Sequence, residues 1–174
     1  MSCDNELIEQ ITRLVIESLE KYSEPQTKVP VGVSARHIHL EEEHLKILFG
    51  ENYQLIQIKP LSQPGQYASE ETVELTGHKG KISKVRILGP VRPETQVEIT
   101  STDARKLGID APVRTSGDLK GTPGITIAGP KGEITISKGV IIADRHIHMT
   151  PDDAKAFGVK NGQKVKLLAE GEKG

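Results

Sequence analysis

The sequence predicts a mainly β protein: two small β-barrels capped by short α-helices, preceded by an N-terminal amphipathic helix. Three observations carry this expectation. From residue 29 onward, short β-rich runs follow one another between glycines and prolines, a texture of barrels or sandwiches rather than of alternating βαβ units. The one long helical pattern stands at the N-terminus. The chain also repeats itself, which calls for two related halves.

The elements follow in order. Over residues 4–22, Leu7, Ile8, Ile11, Leu14, Val15, Leu19 and Tyr22 recur at spacings of one, three and four and form an apolar stripe. Asp4 is the expected N-cap. Ser23-Glu24-Pro25 ends the helix, because a residue before proline is driven out of the α region, and Pro25–Lys28 reads as a linker. The stripe either packs on its own domain or docks on a partner. Strands are expected at Val29–Val33, Gln54–Ile58, Thr72–Leu75, Lys84–Leu88, Gln96–Thr100, Ile125–Ile127, Glu133–Ile136, Val140–Ala143 and Lys164–Leu168, with short helices at Glu41–Leu48, Thr102–Leu107 and Pro151–Phe157.

Composition narrows the function. At 174 residues the chain is one domain or two small ones. Lys+Arg number 23 against 24 Asp+Glu, a net charge of −1, so no charge excess drives binding to nucleic acid or an anionic membrane. Aromatics are 3% with no Trp, which leaves no base-stacking platform. Cys3 is the single cysteine and excludes an internal disulfide framework and every cysteine-cluster zinc site. No stretch approaches the roughly 18 apolar residues of a membrane span. The N-terminus lacks the basic start of a secretory signal, so the expected compartment is the cytoplasm.

The repeat holds the chemistry. Ser34-Ala35-Arg36-His37-Ile38-His39-Leu40 matches Ala143-Asp144-Arg145-His146-Ile147-His148-Met149. A second echo links 102–109 with 151–159. In an extended strand, residues i and i+2 share a face, so each His-x-His offers two imidazoles side by side while Ile38 and Ile147 point away. One such pair is as readily a surface strand as a ligand pair. Two copies with like flanks, using four of six histidines, argue for metal. His44 and His78 lack that context and read as surface residues, with His78 a reserve ligand. A metal site needs a carboxylate or third histidine; Glu98 is a candidate, although strand alternation with Val97 and Ile99 by itself turns it to solvent. Arg92, after Gly89-Pro90-Val91, could clamp an oxyanion, or be a surface arginine. The Ser116-Gly117-Asp118-Leu119-Lys120-Gly121 stretch could let backbone N–H groups approach phosphate, but a plain hairpin loop fits it as well.

Taken together, the paired Arg-His-Ile-His motifs, Ile87-Leu88-Gly89-Pro90 with Thr95-Gln96-Val97-Glu98-Ile99, and Ser116-Gly117-Asp118-Leu119 resemble the PduL-type phosphate propanoyltransferases of bacterial microcompartments, from about Val29 onward. The resemblance implies two barrels with a two-zinc site between them and the reaction acyl-CoA + phosphate ⇌ acyl phosphate + CoA. It implies His37, His39 and Glu98 on the first zinc, His146 and His148 on the second, and Arg92 on the incoming phosphate. The loop with Ser116, Gly117, Asp118 and Gly121 would face coenzyme A. Residues 25–35 with 144–174 would form the first barrel and 36–143 the second, behind an N-terminal segment 1–24 that acts as an encapsulation peptide toward shell or core enzymes of a microcompartment. A homo-oligomer, a dimer or larger, is expected, with propanoyl-CoA or acetyl-CoA as substrate in a pathway such as propanediol degradation. The family continues with further strands and a late motif of the Met-His-Leu/Ile-Asp-Thr-Asp-Glu-Ala type, whose histidine completes the second zinc. The sequence stops at Gly174 without it, so the expectation is a truncated or processed chain, a second zinc weakly held on two ligands, and an incomplete C-terminal barrel. The competing readings are a metal-dependent thioester hydrolase and a noncatalytic metal-binding or assembly module.

Overall fold

The structure is a computed structural model that describes residues 8, 10–16, 29, 31–32 and 34–168. The chain forms two compact units, Val33–His148 and Met1–Gly32 with Met149–Gly174. It is mainly β. Strands are β1 (His37–His39), β2 (Gln57–Pro60), β3 (Tyr67–Thr76), β4 (Lys81–Gly89), β5 (Gln96–Glu98), β6 (Val113–Arg114), β7 (Ile125–Ala128), β8 (Glu133–Ile136) and β9 (Val140–Ala143). Short helices are α1 (Glu42–Phe49), α2 (Ser101–Leu107) and α3 (Pro151–Ala156).

In the larger unit the strands run in the order β6-β9-β5-β1-β4-β3-β7-β8, with β2 paired to β3. The sheet is built on the β3–β4 hairpin, whose inward positions alternate as period two requires. Register shifts within that hairpin are the irregularities that let a sheet curl. Two inward positions are polar and satisfied. Ser69 donates to the Ile87 carbonyl at 2.9 Å, and Glu71 accepts from Tyr53 Oη at 2.8 Å and from the Ile56 amide at 3.1 Å. Gly77, in the β3–β4 turn, sits against Leu107 at the end of α2; a Cβ there would overlap the Leu107 carbonyl, so only glycine permits the approach.

Strand β1 is short and lies mid-sheet, parallel to β4 and antiparallel to β5, with Ile38 opposite Ile87 and Val97. All three isoleucine and valine side chains are fully buried. Removing that apolar surface from water fixes the register, and the same register fixes where the neighbouring histidines point.

A turn–helix module recurs in the chain, preceded by a strand in its first two copies and by residues 144–150, which form no strand, in the third. The helix begins three residues after His39 in β1–α1 and three residues after Glu98 in β5–α2. It begins three residues after His148 as well. The N-caps Glu41, Thr100 and Thr150 share one extended conformation, with ψ of 163°, 163° and 160°. Thr100 and Thr150 each close a reciprocal capping box, with Asp103 and Asp153. Glu41 makes no side-chain cap; instead the Thr95 hydroxyl accepts its amide at 3.0 Å and contacts His44 Nδ1 at 2.7 Å.

Several sequence expectations shift. Residues 10–16 are helical, and Ile11, Leu14, Val15 and Ile16 are exposed. Asp4 and most of the expected Val29–Val33 strand lie outside the described residues. The expected strand over 164–168 is not formed; β-prone residues adopt a strand only where a ladder pairs them. The two-residue β6 escapes a reading by periodicity. His44 is half-buried rather than superficial, held by Thr95 and by Glu41 at 3.2 Å. Among the described residues, no helix is long and apolar enough to cross a membrane.

Candidate active site

The β1–β5 register sets His37 opposite Glu98 and His39 opposite Gln96. Because i and i+2 share a face, the two imidazoles and the carboxylate converge: one ligand atom of each of His37, His39 and Glu98 lies within 4.8 Å of the others. The histidine rings meet edge to face at 5.2 Å. Glu98 does not turn to solvent as alternation suggests; it is 8% exposed. The reason is β5's place inside the sheet, where one face meets the apolar core and the other is covered by this cluster.

Protonation follows from these contacts. Burial works against a charged His37, but the Glu98 carboxylate and the Ala35 carbonyl outweigh it and hold its pKa above the ordinary value. Burial, with the Arg92 guanidinium and His37 nearby, pushes His39 down to about 3. Burial alone would raise Glu98, yet hydrogen bonding to His37 and the charges of both histidines bring it down to about 2. His39 is therefore a neutral imidazole and Glu98 a carboxylate across the physiological range.

This geometry fits a cation. His37 Nδ1 donates to the Ala35 carbonyl at 2.9 Å, so in a neutral ring the Nε2 lone pair faces a Glu98 oxygen 3.4 Å away. Two acceptors facing each other need a proton or a metal between them. The Nδ1–H to carbonyl bond is the support that metal-ligating histidines use. The 3.4 Å separation equals the edge of a tetrahedral site with bonds of about 2.1 Å. His39 Nδ1 is buried without a hydrogen-bond partner.

The second motif repeats the first. His146 Nδ1 donates to the Asp144 carbonyl at 2.6 Å, and its ring meets that of His148 edge to face at 4.6 Å. Both rings are exposed. His148 Nε2 accepts from the Gln63 amide at 2.7 Å. Burial and His146 lower the His148 pKa, while Glu98 opposes them, so the second pair lies within electrostatic reach of the first cluster. Among the described residues only His37, His39 and Glu98 form a group of three.

Arg92 is half-buried beside the cluster. Its guanidinium makes two long contacts, to Ser116 Oγ at 3.4 Å and Gln66 Oε1 at 3.5 Å, and no ion pair among the described residues. Burial lowers its pKa against the pull of Glu98 without removing the charge of a guanidinium. Of the 116–121 loop, Ser116 and Gly117 reach the cluster through Gln96. Asp118 pairs with Arg114 at 3.6 Å instead, and Gly121 is an exposed turn glycine. His78 is exposed in the β3–β4 turn, apart from the cluster.

The family described as phosphate propanoyltransferase matches residues 30–174. The chain belongs to the phosphate propanoyltransferase family. Relatives that carry the same printed name include one from Thermotoga maritima, 61% identical over 140 residues, which cover 80% of this chain and 67% of the relative. Another from Alkaliphilus metalliredigens is 54% identical over 168 residues, 97% of this chain and 79% of the relative. A third, from Priestia megaterium, is 50% identical over 170 residues, 98% and 78% of the two chains. The matched span contains every residue of the cluster, Arg92 and both Arg-His-Ile-His motifs, and leaves Cys3 outside.

Motif reading passes over Gln96. The signal was within reach: the echo of 102–109 in 151–159, extended toward the N-terminus, sets Gln96-Val97-Glu98 against His146-Ile147-His148 and places Glu98 in register with a ligand-type histidine.

Proposed function

We propose that this phosphate propanoyltransferase relative transfers a short acyl group from coenzyme A to inorganic phosphate at a metal centre held by His37, His39 and Glu98, with His146 and His148 offering a second position. The observation that carries the reading is the convergence of two imidazoles and a carboxylate next to an arginine that, among the described residues, pairs with no carboxylate. Zinc is the metal proposed; bound there, it would supply a Lewis acid that polarises the thioester carbonyl and stabilises the departing thiolate.

The chain's own residues do the rest. Arg92 binds phosphate through donors that now make only long contacts, and holds it for attack. A phosphate oxygen forms the new bond to the acyl carbon, the C–S bond breaks, and the electron pair leaves on the CoA sulfur. The loop that carries Ser116, Gly117, Asp118 and Gly121 would face coenzyme A. No acyl-enzyme is needed, since Cys3 lies outside the family match. Ser34 is exposed beside the motif.

The same reading assigns the exposed 10–16 helix, within segment 1–24, to docking on shell or core enzymes inside a bacterial microcompartment. It assigns 25–35 with 144–174 to one barrel and 36–143 to another, in a homo-oligomer. Acetyl-CoA and propanoyl-CoA are both candidate substrates.

The test is thiol release from propanoyl-CoA with and without phosphate, on zinc-loaded protein and after chelation. Phosphate-dependent, chelator-sensitive release is expected. Release that ignores phosphate would replace the transferase by a hydrolase, and no release would reduce the chain to a binding module.

A further inference from the structure

Gln96 is 1% exposed, and its side-chain amide makes three of the four hydrogen bonds open to it. Its amide nitrogen donates to Glu98 Oε1 at 2.6 Å and to Ser116 Oγ at 2.9 Å; its oxygen accepts the Gly117 amide at 2.8 Å. All three bonds therefore run either to the Glu98 carboxylate or to the 116–117 loop. Ser116 in turn receives Arg92. A continuous polar path joins Arg92, Ser116, Gln96, Glu98 and His37.

The position has a second meaning in the repeat. Counted back from the start of the following helix, Gln96 stands where the other two copies of the module carry their first histidine, His37 and His146. Those histidines spend Nδ1–H on a local carbonyl and turn Nε2 outward. Gln96 turns nothing outward.

We propose that Gln96 is a positioning residue: it has exchanged the ligand role of its repeat counterparts for a clamp that orients Glu98 toward the metal and locks the Ser116–Gly117 loop, with Arg92, at a fixed distance from it. The proposal rests on the metal and phosphate reading given above and names the residue that couples the two. Geometry supports the assignment. A free carboxylate has two oxygens and a rotatable terminal torsion. With Oε1 bound to Gln96 and Oε2 toward His37 at 3.4 Å, rotation is suppressed and one oxygen stays committed to the site. Partners of this kind set ligand orientation, and their loss lowers metal affinity by about 10–100-fold.

The test uses the full chain and the variant Gln96→Met, which keeps volume and removes all three hydrogen bonds. Zinc affinity is measured by competition with a chromogenic chelator, hydrogen exchange is followed at the Gly117 amide, and the KM for inorganic phosphate is compared with that for acyl-CoA. We expect zinc binding weakened about 10–100-fold, faster Gly117 exchange, and a phosphate KM that rises more than the acyl-CoA KM. A folded variant with wild-type zinc affinity overturns the proposal, whether or not its loop exchanges faster, because Gln96 is then at most a loop anchor. If Gln96→Met fails to fold, the wild-type chain decides: a Gly117 amide that exchanges slowly, and more slowly still once zinc is added, supports the clamp, and any other pattern refutes it. A wild-type chain that binds no zinc refutes the metal reading instead, and Gly117 protection, lost in the variant, then judges the clamp alone.

Discussion

Replacing Asp103 by Ala tests how the molecule anchors the strand that carries the first two histidines. Asp103 is 3% exposed. One of its oxygens accepts from the Thr100 amide at 3.2 Å and the Thr100 hydroxyl at 2.8 Å, closing the cap of α2. The other meets Arg36, the residue before His37, at 2.8 Å. Asp153 repeats the cap, with the Thr150 amide at 3.3 Å and hydroxyl at 2.8 Å, but is only half-buried and has no arginine partner among the described residues. The second copy is therefore an internal control. Loss of a capping contact costs about 1 kcal/mol. At position 103 the part-buried Thr100 amide is also orphaned, about another 1 kcal/mol. The pairing with Arg36, 45% exposed in its side chain, adds under about 1 kcal/mol once water screening is counted. Asp103→Ala should cost about 2–3 kcal/mol against about 1 kcal/mol or less for Asp153→Ala. At roughly 2–4 °C per kcal/mol for a chain of this size, the first lowers Tm by about 4–12 °C.

The pH dependence has a definite sign. Burial would raise the Asp103 pKa, but Arg36 and Thr100 outweigh it and hold it below the ordinary 3.8. A depressed carboxylate stabilises the fold above its unfolded pKa and loses that contribution as pH falls through the folded value. The stability gap between wild type and Asp103→Ala should thus be full at neutral pH and close in strong acid. Urea unfolding across pH, with hydrogen exchange at the Ala104 and Ala154 amides that begin the two helices, measures both effects. Equal costs at 103 and 153 would refute the reasoning, because burial and Arg36 would then contribute nothing.

Other outcomes follow from the site. Arg92→Ala should raise the phosphate KM at least about tenfold with little change in that for acyl-CoA, the loss of one charge-assisted contact; unchanged phosphate kinetics would remove Arg92 from the site. Glu98→Gln should weaken zinc binding by about 10-fold or more in equilibrium dialysis, since one anionic ligand is neutralised, and an unchanged affinity would dismiss the carboxylate as a ligand. Deleting residues 1–24 should spare thiol release and abolish co-sedimentation with microcompartment shells; loss of activity with retained sedimentation would reverse that assignment.

The sequence displayed some of this plainly and concealed the rest for physical reasons. Runs such as Glu133–Ile136 and Val140–Ala143 coincide with β8 and β9 because a glycine, Gly132 or Gly139, stands directly before each. The His-x-His pairs were legible because period two is a local property. Burial of Glu98 was not, since it depends on β1 and β9 flanking β5, and pairing partners lie far along the chain. His44 reads as superficial for the same reason: Thr95, which holds it, comes from another element. Gln96 was hidden because no single-residue signal separates a clamping amide from a surface one; only the register of the repeat exposes it.

The placement of β1 between β4 and β5 also bears on the order of folding. Its neighbours reach it only after the β3–β4 hairpin has formed and the chain has returned through β5, so the His37–Glu98 pairing closes a long loop and carries the corresponding entropic delay. The hairpin can form from local contacts alone, while the cluster exists only once the non-local ladder is zipped. A metal ion therefore cannot template the early chain through this group. Bound there, it would act as a late lock, stabilising the assembled sheet by mass action and slowing its unfolding rather than hastening its formation.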